Sequence, residues 1–177
     1  MKLTNQILAV VLATVPVAMS AAPNNQAPDL TKTEKQVRHE LVALPFLSIY
    51  DNLSFQVEGG KVILTGHVIR PTLKSGAEQV VRRLEGVTSV ENQIEVLPLS
   101  PFDDALRLRL AQAIYGYGPL NRYSLGAQPP IRIIVKNGNV TLEGVVGNAM
   151  DRQLAFMRAN GVSGVFSVTN SLGVSAS

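Results

Sequence analysis

Displaced against itself by 78 residues the chain repeats, and the repeat limits what it can fold into. Val57, Gly60, Val62, Leu64, Gly66 and Val68 fall on Val135, Gly138, Val140, Leu142, Gly144 and Val146. Without a gap, Ala77, Gly86, Val87, Val90, Asn92 and Val96 then fall on Ala155, Gly164, Val165, Val168, Asn170 and Val174. Units that bury their faces only against neighbours need about three copies to make a stable stack. With two, each unit must hold a core of its own, so the chain reads as tandem small domains and not as a solenoid.

Each copy can be read element by element. Gly59-Gly60 and Asn137-Gly138 supply the positive φ angles of a tight two-residue turn, so residues 55–68 and 131–146 read as β-hairpins. The register follows: Val135 opposes Val140 and Ile133 opposes Leu142 on a core face, while Arg132 meets Glu143 on a partly polar one. In the first copy Val57 faces Val62, Phe55 faces Leu64 and Glu58 meets Lys61.

After the first hairpin, Leu73, Ala77, Val80, Val81 and Leu84 recur at helical spacing behind Pro71 until Gly86. A strand follows in each copy, marked by Ile94 and Val96 and by Leu172 and Val174. A helix precedes each hairpin, through Val37, Leu41 and Leu44 in one copy and Leu106, Leu110 and Ile114 in the other. The expected fold is α+β: two α-β-β-α-β domains, each a three-stranded sheet covered on one face by two helices.

The first 22 residues read as a secretory signal: Lys2, then the apolar "ILAVVLATVPVAM", then small residues suited to cleavage after Ser20 or Ala22. The apolar run is short of the roughly 20 residues that span a bilayer, and Pro16 interrupts it. The expected plan is a signal at 1–22, a flexible segment at 23–32, a first domain at 33–98, a linker at 99–101 and a second domain at 102–174 with an insertion at 115–130. The mature chain is expected in the periplasm or outside the cell, with no transmembrane helix. It has no cysteine, so its stability must come from packing without disulfides.

The order α-β-β-α-β, the "GKVILTGHV" and "GNVTLEGVV" hairpins and the closing "GVTSVENQIEV" and "GVFSVTNSLGV" resemble the BON domain, named for bacterial osmotic-shock and nodulation proteins. The second copy departs from the pattern by its insertion, "YGYGPLNRYSLGAQPP", and by a second helix that reads as shorter, broken at Asn160-Gly161. The resemblance implies a periplasmic, non-enzymatic module of envelope or osmotic stress that binds phospholipid surfaces or proteins. It brings no catalytic residue and no cofactor.

The residues themselves offer little chemistry. His39 and His67 are the only imidazoles and lack the acidic spacing of a metal site. "EGG" and "KNG" join strands, whereas a phosphate cradle opens a helix. Charge is dispersed, so nucleic acid is not an expected partner. The formal charge of +3 is concentrated in residues 101–177, which carry seven basic and four acidic side chains, a balance that fits ordinary solvated charge or an anionic partner.

Comparing the copies yields the candidate contacts. Glu78, Gln79 and Thr88 of the first become Phe156, Met157 and Phe166 of the second. Polar positions that turn apolar need a cover: the other domain, a membrane or protein partner, or the local core. Arg152 and Arg158 flank the same helix and suit an anionic phospholipid surface. The insertion adds Tyr115, Tyr117, Arg122 and Tyr123, either as a contact for lipid headgroups or an envelope protein, or as rings that close the hairpin end.

Overall fold

The structure is a computed structural model that describes residues 31–125 and 128–175. The expected signal peptide and nearly all of the expected flexible segment lie outside the described residues.

The first helix, α1 (Lys32–Val42), opens with a reciprocal cap: Thr31 Oγ1 accepts from the Glu34 N–H at 3.3 Å and Glu34 accepts from the Thr31 N–H at 2.7 Å. It buries Val37 and Leu41. Residues 43–51 form a loop held by the buried carboxylate of Asp51, which accepts from Ser48 N–H (2.9 Å), Ser48 O–H (2.6 Å) and Ile69 N–H (2.8 Å).

Then come β1 (Asn52–Glu58) and β2 (Lys61–Val68), antiparallel, with Val57 opposite Val62, Phe55 opposite Leu64 and Glu58 opposite Lys61 as the alternation requires. Helix α2 (Pro71–Arg82) crosses over to β3 (Ser89–Asn92) and β4 (Glu95–Val96), both parallel to β2.

The second copy runs α3 (Pro101–Tyr115), a short α4 (Gly118–Asn121), a 3-10 turn at Arg122–Ser124, β5 (Ile131–Lys136), β6 (Asn139–Val146), α5 (Ala149–Asn160) and β7 (Ser167–Val174). β5 and β6 pair antiparallel in the expected register, and β7 lies parallel to β6. The middle strand of each sheet is therefore the second strand of its hairpin. A parallel third strand needs a long crossover, and α2 and α5 are those crossovers.

Three details refine the expected plan. The third strand of the first sheet is split into β3 and β4, and the insertion carries a helix of its own. α5 is not the shorter second helix: it and α2 have 12 residues each, because Asn160 still closes the last turn and Gly161 only caps it.

Each copy has its own core. One gathers Val37, Leu41, Val62, Leu64, Ala77, Val81 and Ile94; the other gathers Leu106, Leu110, Ile114, Ile133, Val140, Leu142, Ala155 and Leu172. The last glycine of each hairpin is a packing requirement. Gly144 has φ +112°, and a Cβ there would lie 1.8 Å from the Pro130 carbonyl oxygen; Gly66 stands 2.1 Å from Asn52 in the same way.

The copies are also joined to each other. Ile49 and Tyr50, in the loop before β1, pack on the second core. The Ile49 carbonyl accepts from Ile133 N–H at 2.8 Å, and the Ser48 carbonyl accepts from Arg132 Nη1 at 2.9 Å. Lys136 pairs with Glu95 at 2.5 Å, and Asn52 donates to Glu143. Ile134, on the sheet face away from its own helices, is only 4% exposed.

Candidate contact surface on the second copy

Helix α5 starts at Asn148, whose side chain accepts from the Asp151 N–H at 2.8 Å. Residues four apart then share a face, and Arg152 and Phe156 line a shallow groove of about 380 Å³ with Ala149, Gln153 and Asn170. The matching site of the first copy is polar: Glu78 pairs with Arg82 and accepts from Asn92 Nδ2 at 3.1 Å. Where one copy has an ion pair, the other has a half-buried phenylalanine beside an exposed arginine.

Met157 is half exposed and Phe166 is 75% exposed, so the other domain does not cover them. Phe166 lies across the Asn137-Gly138 turn and stacks on Phe102, ring centroids 6.2 Å apart. Arg152, Phe156, Met157 and Phe166 thus face outward at least in part.

The other five candidates are tied to their own fold: Tyr115, Tyr117 and Tyr123 are half-buried, while Arg122 and Arg158 stay exposed but bonded. Tyr115 donates to the Ile131 carbonyl, and burial pushes its phenol up to about 12. Arg158 lies 4.9 Å over the Tyr117 ring and donates to the Ala113 carbonyl at 3.1 Å. Tyr123 O–H donates to Asp151 at 2.6 Å and accepts from Gly147 N–H at 2.7 Å, while Arg122 pairs with Asp151 and sits 5.0 Å from the Tyr123 ring. All three rings pack against the second core, which seals one end of the hairpin.

Among the described residues no three or more His, Cys, Asp or Glu side chains are gathered to hold a metal ion, and no helix is long and apolar enough to cross a membrane. The BON domain family model matches residues 29–98 and again 120–176, well over half of the chain. The chain belongs to the BON domain family. BON domains are non-catalytic binding modules associated with the bacterial envelope.

No curated protein sequence matches the chain. Two solved structures of Chlamydia trachomatis are similar to it. One is described as CdsD, a structural protein of the type III secretion system (15% identity, TM-score 0.34, covering 81% of this chain and 92% of that one). The other is the C-terminal domain of CdsD (17% identity, TM-score 0.30, covering 84% of this chain and 100% of that one).

The asparagine of the closing BON motif has a clear structural task. Asn92 Nδ2 donates to the Lys74 carbonyl of α2 and Asn170 Nδ2 to the Arg152 carbonyl of α5, both at 2.9 Å. Their Oδ1 atoms accept from Ile94 N–H at 3.2 Å and Leu172 N–H at 3.3 Å. Each asparagine ties its third strand to the crossover helix.

Sequence reasoning missed other exposed or bridging residues of this BON pair. Phe46 is 71% exposed at φ +67°, a conformation rare for a bulky side chain, with Arg70 5.1 Å over its ring. Its signal was the apolar run Leu44, Phe46, Leu47 and Ile49 in a segment that had to be a loop. Ile134 had the same signal as Phe156: its counterpart in the first copy is polar Gln56.

Proposed function

We propose that this chain is a periplasmic tandem-BON protein, a non-catalytic binding and scaffolding module of the cell envelope, that contacts anionic phospholipid under envelope or osmotic stress. The contact is made by Arg152 with Phe156, Met157 and Phe166. The observation that carries the reading is the exchange between copies: Glu78, ion-paired in the first, becomes the half-buried Phe156 in the second, beside the exposed cation Arg152. An interfacial site needs both parts, apolar area for the acyl boundary and positive charge for the headgroups. Each cation near an anionic leaflet is worth about 1 kcal/mol, so the attraction is modest and salt-sensitive. The basic balance of the second half adds to it.

The test is co-sedimentation of residues 23–177 with anionic and with neutral vesicles, at low and high salt. Binding to the anionic set alone that weakens with salt is the expected result. Binding to neither set transfers the contact to a protein partner.

A further inference from the structure

A second site lies at the seam between the copies, away from α5. It is a groove of about 630 Å³, within the usual size of ligand sites. One wall is formed by residues 52–55, four consecutive positions of β1. Leu41 and Val42 of α1 form another wall, and Glu143 and Val145 of β6 close the far side.

β1 is an edge strand: it pairs with β2, and among the described residues no strand pairs with its other side. The other edges differ. The β5 edge receives the Ile49 carbonyl, the β3–β4 edge is cut into pieces of four and two residues, and the grooves beside β7 meet it only at Asn170 and Ser171. β1 borders one groove along four successive residues.

That arrangement selects the occupant. A row of edge N–H and C=O groups loses water when the groove fills, and leaving such groups unpaired is costly. A lipid chain cannot repay that cost; another extended backbone can. Leu53 and Phe55 are half-buried while Ser54 between them is exposed, so an added strand would meet apolar and polar positions in alternation. The groove carries Glu34 and Glu143 against Arg38, which favours a neutral or basic segment over an acidic one.

We propose that this groove binds an extended polypeptide segment as an added strand on β1, so that the protein captures unfolded or flexible chains at its domain seam. The site is independent of the lipid reading for α5, and either can fail alone.

The test uses the mature chain and a pool of peptides of about seven residues, with Val, Leu or Ile alternating with Thr and Lys at both ends. A matched pool carries N-methyl groups at alternate amides, which removes main-chain donors and leaves the side chains. Saturable binding that shifts the backbone amide resonances of residues 52–55 and 143–145 is expected. N-methylation on the edge that faces β1 is expected to weaken it by about tenfold or more, the loss of one or two main-chain hydrogen bonds. Val145→Arg, at a half-exposed position, should weaken binding without changing the unfolding midpoint. Equal binding of both pools, shifts confined to α5 or β7, or no saturable binding overturns the proposal.

Discussion

Ile133 donates its backbone N–H to the carbonyl of Ile49 at 2.8 Å, so a loop of the first copy closes the edge of the second copy's sheet. The neighbouring Ile134 then lies buried against the seam, on a face that its own helices leave open.

Ile134→Gln installs the residue found at the matching position of the first copy. Removing a fully buried isoleucine from such a contact costs about 2 kcal/mol. The urea midpoint should fall accordingly. The reverse change, Gln56→Ile at an exposed position, should stay within about 0.5 kcal/mol.

Asn170→Ala removes one bond to a helix carbonyl and one from the Leu172 N–H, and Asn92→Ala removes the equivalent two, to Lys74 and from the Ile94 N–H, together with its bond to Glu78. At about 1 kcal/mol for each bond, Asn170→Ala should lose about 2 kcal/mol and Asn92→Ala about 3 kcal/mol in urea unfolding. A loss near zero would show that these bonds do not hold the strand to the helix.

Glycine substitutions should differ in sign. Gly144→Ala forces a Cβ onto the Pro130 carbonyl at φ +112° and should cost more than about 3 kcal/mol. Gly118 opens the short α4, with nothing within 4 Å of an added Cβ, so Gly118→Ala should stabilise by about 0.5 kcal/mol. Thermal unfolding of the two variants checks both.

Tyr115 predicts the alkaline limb of stability. Its phenol is raised from 10.0 to about 12, chiefly by burial, so above pH 10 the unfolded chain ionises there before the folded chain does. The folded state then holds more protons, and stability is complete below pH 10 and falls as pH climbs toward 12. Tyr50, half-buried at the seam, is raised in the same direction by burial. Phenolate absorbance should show a late fraction that titrates together with unfolding, and Tyr115→Phe should flatten the stability loss.

Phe156→Glu should weaken anionic-vesicle binding while the domain stays folded, and Arg152→Glu should do the same with a smaller salt dependence in what remains. Loss of folding in Phe156→Glu would assign that ring to the core.

The hairpins, their register and the helical stripes were legible because period-two and helical patterns follow directly from side-chain geometry, as Val57 with Val62 and Leu106 with Leu110 show. The change from polar to apolar at Met157 and Phe166 was visible by comparing the copies, but that the other domain leaves them uncovered was not. The roles of the tyrosines were not: only the folded loop shows Tyr123 O–H at Asp151 and the Tyr117 ring under Arg158. The seam groove was also hidden, since it depends on how two separately patterned units meet. Ile134 lay between these cases, readable from its polar twin once the hairpins were compared position by position.

The Ile49 contact changes what duplication means for this protein. Two copies that began as equals are no longer interchangeable, because one now lends a piece of its connecting loop to finish the other. The lender precedes the borrower along the chain, so during synthesis the supporting piece emerges before the strand that needs it. Cutting the chain between the halves should leave the later one with an unfinished border and a tendency to pair with copies of itself. The later half is complete only beside the earlier one.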